Sequence, residues 1–288
     1  MSKDTAIQAS VKSRLLNISR ENKENFNLTL LSYVSERFLY RLGESIYNKD
    51  FVLKGAYLLT VTLDRNRYRT TKDIDFLKIG AADADYLHTA IENIIAIPYL
   101  KDGVSFDPDS VILTDIKEAH RYQAKRAKVT SYIGNTKIVL QLDIGIGDTV
   151  TPTTSVLTIP ALLDQEPPQI ISYPIETIIA EKLEAIISIG LITSRMKDFY
   201  DLYFIFSSVP LNLDTVREAV YATFTRRQTA IPAGIPEVLS DTMAQNPHKQ
   251  AQWKAFTRRI RSEHSGLSLE RVLEQIRRLA VSVFAPRD

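Results

Sequence analysis

Thr71-Lys72-Asp73-Ile74-Asp75-Phe76-Leu77 alternates polar and apolar residues with a period of two. That period predicts a strand with Asp73 and Asp75 on one face and Ile74 and Phe76 on the other. Upstream, Phe51-Val52-Leu53 reads as a short strand punctuated by Lys54-Gly55, with helical turns over 56–63. Downstream, strands over 126–133 and 137–144 flank Gly134-Asn135, a hairpin signal. On the second of these, Ile138, Leu140, Leu142 and Ile144 share one face, while Asp143 lies on the other with Val139 and Gln141. Asp73, Asp75 and Asp143 thus fall on the polar faces of strands. Mg²⁺ takes oxygen ligands and commonly uses one or two carboxylates with substrate phosphates, so the three acids are candidate metal ligands. Gly55 allows backbone N–H groups to approach a phosphate closely, and Arg65, Arg67, Arg69 and Lys72 supply nearby positive charge.

Before this block, residues 6–48 carry a helical pattern, and 84–97 carries another that ends before Pro98. Val111–Thr114 is a further short strand. Pro152, Pro160, Pro167, Pro168 and Pro174 crowd the following stretch, which reads as a connection, and a division falls at 165/166. Beyond it the patterns are helical: 174–189, opened by its proline, then 196–206, 215–226, 250–261 and 268–284. Strands in the first half and helices in the second predict an α+β chain, residues 1–165 followed by a helical region, 166–288.

The helix over 174–189 places Lys182 in the middle of an apolar stripe of Ile175, Ile178, Ile179, Leu183 and Ile186. A lysine there snorkels, pairs with a buried acid, or serves a substrate phosphate. Asp198 and Asp201 share a face of the next helix with Leu202 and Ile205, and buried acids require partners. Lys182 is a candidate partner.

Whole-chain composition is ordinary: 288 residues, 36 Lys+Arg against 34 Asp+Glu, a formal charge of +2 and 44% apolar residues. These values exclude a polybasic condensing protein and a disordered chain. The absence of cysteine excludes a disulfide framework, a thiolate metal site and a cysteine nucleophile. There is no P-loop and no Gly-x-Ser-x-Gly elbow. No apolar run is long enough to span a membrane, and the first twenty residues lack a signal-peptide core, so the expectation is a soluble, cytoplasmic protein. Basic residues cluster locally, in Lys117, Arg121, Lys125, Arg126, Lys128 and Lys137, and in Lys254, Arg258, Arg259, Arg261, Arg271, Arg277 and Arg278. Patches of this kind are the footprint expected of nucleic-acid binding, although solvated helix faces look alike. Tyr122, Tyr132, Trp253 and Phe256 either stack on bases or pack the core.

Glu36-Arg37-Phe38-Leu39-Tyr40-Arg41-Leu42, Phe51-Val52-Leu53-Lys54-Gly55-Ala56, Thr71-Lys72-Asp73-Ile74-Asp75-Phe76, Ala180-Glu181-Lys182-Leu183 and Lys197-Asp198-Phe199-Tyr200-Asp201-Leu202 occur in this order. As a set they resemble the AbiEii/AbiGii-type nucleotidyltransferase toxins, the group that includes the MenT toxins. The resemblance implies a polymerase-β-like core, a mixed sheet flanked by helices, with a mostly helical C-terminal region contributing Lys182 and Asp198 to the site. It further implies Mg²⁺-dependent transfer of a nucleoside monophosphate from an NTP to RNA, notably the 3′ end of tRNA, in a toxin–antitoxin or phage-defence system with a cognate antitoxin. Carried over by motif, Gly55 lies at the phosphate-binding turn, Asp73 and Asp75 ligate metal, and Lys182 contacts the phosphates. Asp198 is the second essential acid with Asp201 beside it, and Asp143 is the candidate third metal ligand. Gly55-Ala56 departs from the Gly-Ser or Gly-Gly common in such enzymes. A non-catalytic nucleotide- or RNA-binding module, and a transferase acting on a protein or small molecule, are the competing expectations.

Overall fold

The computed structural model describes residues 3–63, 71–116, 123–147, 150–260 and 266–285. In chain order the elements are α1 (Lys3–Glu21), α2 (Phe26–Glu44), β1 (Phe51–Lys54), α3 (Gly55–Leu63), β2 (Asp73–Lys78), α4 (Ala84–Ile95), β3 (Val104–Asp115), β4 (Ala124–Ile133), β5 (Thr136–Ile146), β6 (Ser155–Thr158), β7 (Gln169–Ser172), α5 (Ile175–Ile189), α6 (Met196–Ser208), α7 (Leu213–Arg226), α8 (Asp241–Gln245), α9 (Pro247–Thr257) and α10 (Leu269–Phe284). They fall into two units. The first comprises Met1–Val61, Thr70–Asp148 and Ser155–Ser172; the second comprises Thr62–Arg69, Thr149–Thr154 and Tyr173–Asp288.

The first unit is built on a seven-stranded mixed sheet in the order β3-β4-β5-β2-β1-β7-β6. β2 runs antiparallel to β1 and parallel to β5, and β4–β5 is the expected hairpin about Gly134, which takes a left-handed φ of 58°. On β2 and β5 the apolar sets fall as the period-two pattern requires: Ile74, Phe76, Leu140, Leu142 and Ile144 are buried, and Asp73, Asp75 and Asp143 are half-buried. Burying one face and not the other fixes the register, since a one-residue slip would exchange the two sets. α1 and α2 add Val11, Leu15, Leu30, Tyr33 and Val34 to a core shared with Val104, Ile133 and Ile138. Much of the Glu36–Leu42 motif is structural. Arg41 pairs with the fully buried Asp102 at 2.7 Å, Glu36 accepts from the Leu162 amide at 2.7 Å, and Arg37 donates to the Glu166 carbonyl at 2.9 Å.

Several boundaries differ from the sequence pattern, each for a local reason. The 6–48 pattern is two helices, because Asn25 leaves helical geometry and its side chain accepts from the Asn27 amide as the N-cap of α2. β3 extends well beyond 111–114, and it holds Pro108 because it is an edge strand whose pairing shifts between Asp107 and Ile112. The proline-rich stretch is not merely a connection: β6 and β7 pair antiparallel within it, β7 adds parallel to β1, and the hairpin spans residue 165. Its prolines bound the strands instead of interrupting them. α9 starts before residue 250, at Asn246-Pro247, where asparagine caps and proline occupies the first turn.

The second unit is helical. Leu183, Ile186, Leu202, Ile205, Val220, Phe224, Leu273 and Ile276 are fully buried within it. Trp253 belongs to this interior too, 4% exposed, with its indole N–H donated to the Leu267 carbonyl at 2.6 Å. No described helix is long and apolar enough to cross a membrane.

Candidate active site

In the first unit, strand pairing sets four charged residues side by side. Lys54 on β1 is opposite Asp75 on β2, Asp75 is opposite Asp143 on β5, and Asp143 is opposite Arg126 on β4. At about 4.8 Å between strands the row is about 14 Å long, and residues paired directly across strands project from the same face. Its charges run plus, minus, minus, plus. Asp73, two residues before Asp75, adds a third carboxylate to that face and lies opposite Gln141. Gly145, two residues after Asp143, has no side chain, and a Cβ placed there would lie 4.0 Å from the Lys54 ammonium. The glycine leaves room for that lysine.

β1 ends at Gly55, which adopts φ +71° and opens α3. A Cβ on Gly55 would stand 2.1 Å from Asp75 Oδ2 and 2.6 Å from its Cγ. The Asp75 carboxyl group is therefore seated against the backbone of the turn, a position that any side chain at residue 55 would fill. Ala56 is buried in the first turn of α3.

Asp143 is fully engaged. Arg126 donates from Nε to Oδ1 at 2.8 Å and from its terminal nitrogen to Oδ2 at 2.7 Å, and the Gln141 amide reaches Oδ1 at 3.4 Å. The hydrogen bonds to Asp143 raise the Arg126 guanidinium pKa against the opposing effect of burial, and the charges of Asp73 and Asp75 add to the rise. Among the described residues no three His, Cys, Asp or Glu side chains are grouped to hold a metal ion. The donor set that fits Mg²⁺ is the pair Asp73 and Asp75: two carboxylates from one strand face, Asp75 lying in the cradle at Gly55, with coordination left for phosphate and water. Asp143, expected as a third ligand, has both oxygens committed to Arg126.

In the second unit, α5 and α6 bring Lys182, Asp198 and Asp201 together. The Lys182 ammonium donates to Asp198 Oδ1 at 2.8 Å and Asp201 Oδ2 at 2.6 Å; side-chain exposures are 12%, 1% and 0%. Arg195 takes the other oxygen of Asp198 through Nε. Burial alone would raise the Asp198 pKa, but Lys182 and Arg195 outweigh it and hold this carboxyl below the ordinary carboxylate value. The ionised acids and the lysine thus form one buried, charge-assisted cluster. Beside it on α5, Glu184 accepts from Arg227 at 2.9 Å and from the Thr229 hydroxyl at 2.6 Å, and Arg227 also reaches Glu181 at 3.4 Å.

Three residues escaped the sequence reading. Lys54 was only punctuation there, Arg126 only a member of a basic cluster, and Glu184 only a residue off the apolar stripe. The Arg126–Asp143 pairing had a signal: counting outward from the Gly134-Asn135 turn, these two are the eighth pair of the hairpin. Arg65, Arg67 and Arg69 lie outside the described residues, as do Lys117, Arg121, Tyr122 and Arg261. Lys72 is exposed. Of the basic clusters, Lys125 pairs with Asp115, Arg277 with Asp241 and Arg278 with Glu274, while Lys128, Lys137, Lys254, Arg258, Arg259 and Arg271 have exposed side chains.

Two solved structures share the architecture. A presumed nucleotidyltransferase from H. pylori is 18% identical with a TM-score of 0.50, the match covering 86% of this chain and 91% of that one. JHP933 from Helicobacter pylori is 17% identical with a TM-score of 0.49, covering 86% and 88%. At such identities the likeness is one of fold. A search of curated proteins returns no match. A family profile described as "Nucleotidyl transferase AbiEii toxin, Type IV TA system" matches residues 37–275, which includes the whole of the β1–Gly55 turn, the Asp73/Asp75 strand, the Arg126–Asp143 pair and the Lys182–Asp198–Asp201 cluster. With that match over most of its length, the chain belongs to the AbiEii nucleotidyl transferase toxin family of type IV toxin–antitoxin systems.

Proposed function

We propose that the protein moves a nucleoside monophosphate from an NTP onto RNA, at the 3′ end of tRNA, in a Mg²⁺-dependent reaction that blocks aminoacylation and arrests growth until its antitoxin intervenes. The observation that carries this reading is the carboxylate pair Asp73 and Asp75 beside the Gly55 turn, in a chain of this family. Mg²⁺ held by these carboxylates would supply charge neutralisation at the transferred phosphoryl group. Phosphoryl-group transfer asks the protein chiefly for positioning and electrostatic stabilisation. Gly55 offers backbone approach to the phosphates, and Asp73 and Asp75 orient the reacting group.

In the second unit Lys182 is the proposed phosphate contact, with Asp198 and Asp201 fixing its ammonium, so that the acids act through the lysine. The exposed Lys128, Lys137, Lys254, Arg258, Arg259 and Arg271 support an RNA acceptor, because phosphate neutralisation dominates such binding. Induced expression in a bacterial host tests the reading. Wild type arrests growth and leaves tRNA uncharged, while Asp73→Ala, Lys182→Met and Asp198→Asn do neither. Growth arrest that persists in a protein carrying both Asp73→Ala and Asp75→Ala would instead favour a non-catalytic RNA-binding module.

A further inference from the structure

The row Lys54–Asp75–Asp143–Arg126 holds two cations as well as two acids, and only one of its acids is locked in a fork. We infer that Arg126, aimed by Asp143, is a fixed cation of the nucleotide site, that it binds an NTP phosphate oxygen, and that Asp143 is a positioning residue while a single divalent cation is held by Asp73 and Asp75. This inference rests on the nucleotidyltransferase reading above.

Three observations carry it. First, the Arg126–Asp143 pair is bidentate, and Gln141 also touches Asp143. Ligation of a metal by Asp143 would break two charge-assisted bonds and leave the guanidinium beside that metal, cation against cation. Second, Arg126 is 38% exposed although its carboxylate partner is only 17% exposed. A guanidinium has five N–H donors in a planar fork. Asp143 takes one from Nε and one from a terminal nitrogen, so the outer edge of the fork remains able to meet an anion. Third, Arg126 lies in register with the acid row, one strand beyond Asp143 and two beyond Asp75, and it responds electrostatically to Asp73 and Asp75. A triphosphate drawn to metal at Asp73 and Asp75 would bring negative charge to the same face. Arg126 then supplies there the positive charge that a second cation would otherwise bring.

Manganese binding read by electron paramagnetic resonance, with a non-hydrolysable NTP analogue present, tests the assignment on the full chain. The wild type is expected to bind one Mn²⁺. Asp143→Asn should keep that stoichiometry with Mn²⁺ affinity within about two-fold, while Asp73→Asn lowers it severely. Calorimetry with the same analogue in EDTA isolates the phosphate contact. Arg126→Met should weaken analogue binding by roughly 10- to 100-fold, and Arg126→Lys, which keeps the charge without the fork, should recover part of it. Circular dichroism checks that the variants fold, and a failure of Arg126→Met to fold leaves the Arg126→Lys and Asp143→Asn arms decisive. Two Mn²⁺ in the wild type, or loss of Mn²⁺ in Asp143→Asn equal to that in Asp73→Asn, would overturn the assignment while leaving the proposed function intact. A wild-type protein that binds no NTP analogue would overturn both.

Discussion

Gly55→Ala probes the turn most sharply. The new Cβ would stand 2.1 Å from Asp75 Oδ2, 2.6 Å from Cγ and 2.7 Å from Cβ, at a backbone φ of +71°. The left-handed backbone costs an L residue about 1–2 kcal/mol, and forcing atoms into a packed site costs about 1–3 kcal/mol, so the expected destabilisation is about 2–5 kcal/mol. Relief must come mainly from the Asp75 carboxyl group, which would swing out of its seat and carry the proposed metal ligand with it. Urea unfolding gives the stability, and Mn²⁺ titration gives the ligand's position. A double-mutant cycle with Asp75→Ala separates the causes. That background removes the two shortest contacts and keeps the positive φ, so Gly55→Ala should cost about 1–2 kcal/mol less there. Additivity within about 0.5 kcal/mol, or unchanged Mn²⁺ affinity in Gly55→Ala, would refute the seating of Asp75 against this turn.

Other outcomes follow from the buried polar groups. Lys182→Met keeps the apolar stem but leaves Asp198 and Asp201 short of a cation, and urea unfolding should register a loss of about 3–5 kcal/mol; adding Asp198→Asn and Asp201→Asn should restore most of it. Because the folded-state pKa of Asp198 lies below its ordinary value of 3.8, its stabilising contribution is present above that value and disappears as pH falls through the depressed one. Stability measured from pH 6 down to pH 3 should therefore fall less steeply in Asp198→Asn than in wild type, and equal slopes would contradict the charge assignment. Trp253→Phe removes the bond from the indole to the Leu267 carbonyl and should cost about 1 kcal/mol in the same assay without changing RNA binding.

The first-unit site was largely legible because strand periodicity is exact. Alternation of Asp73-Ile74-Asp75-Phe76 and of Ile138 to Ile144 fixed which residues share a face, and burial then follows. Helical spacing likewise anticipated that Lys182 would meet Asp198 and Asp201. Arg126 was read as part of an RNA-binding patch because a count of charges ignores cross-strand partners. Residues 155–172 read as connection because proline marks an interruption in sequence, whereas here Pro160, Pro167 and Pro168 stand at the ends of β6 and β7. Parallel pairing of β7 with β1 joins residues more than a hundred positions apart, and no local pattern encodes it.

Incubation of the purified protein with total tRNA, Mg²⁺ and each α-³²P-labelled NTP in turn, with Asp73→Ala as control, tests transfer itself. Label should appear on tRNA from at least one NTP with the wild type and be absent with the variant. No label from any NTP, or equal label with Asp73→Ala, would contradict tRNA nucleotidyl transfer at this carboxylate pair.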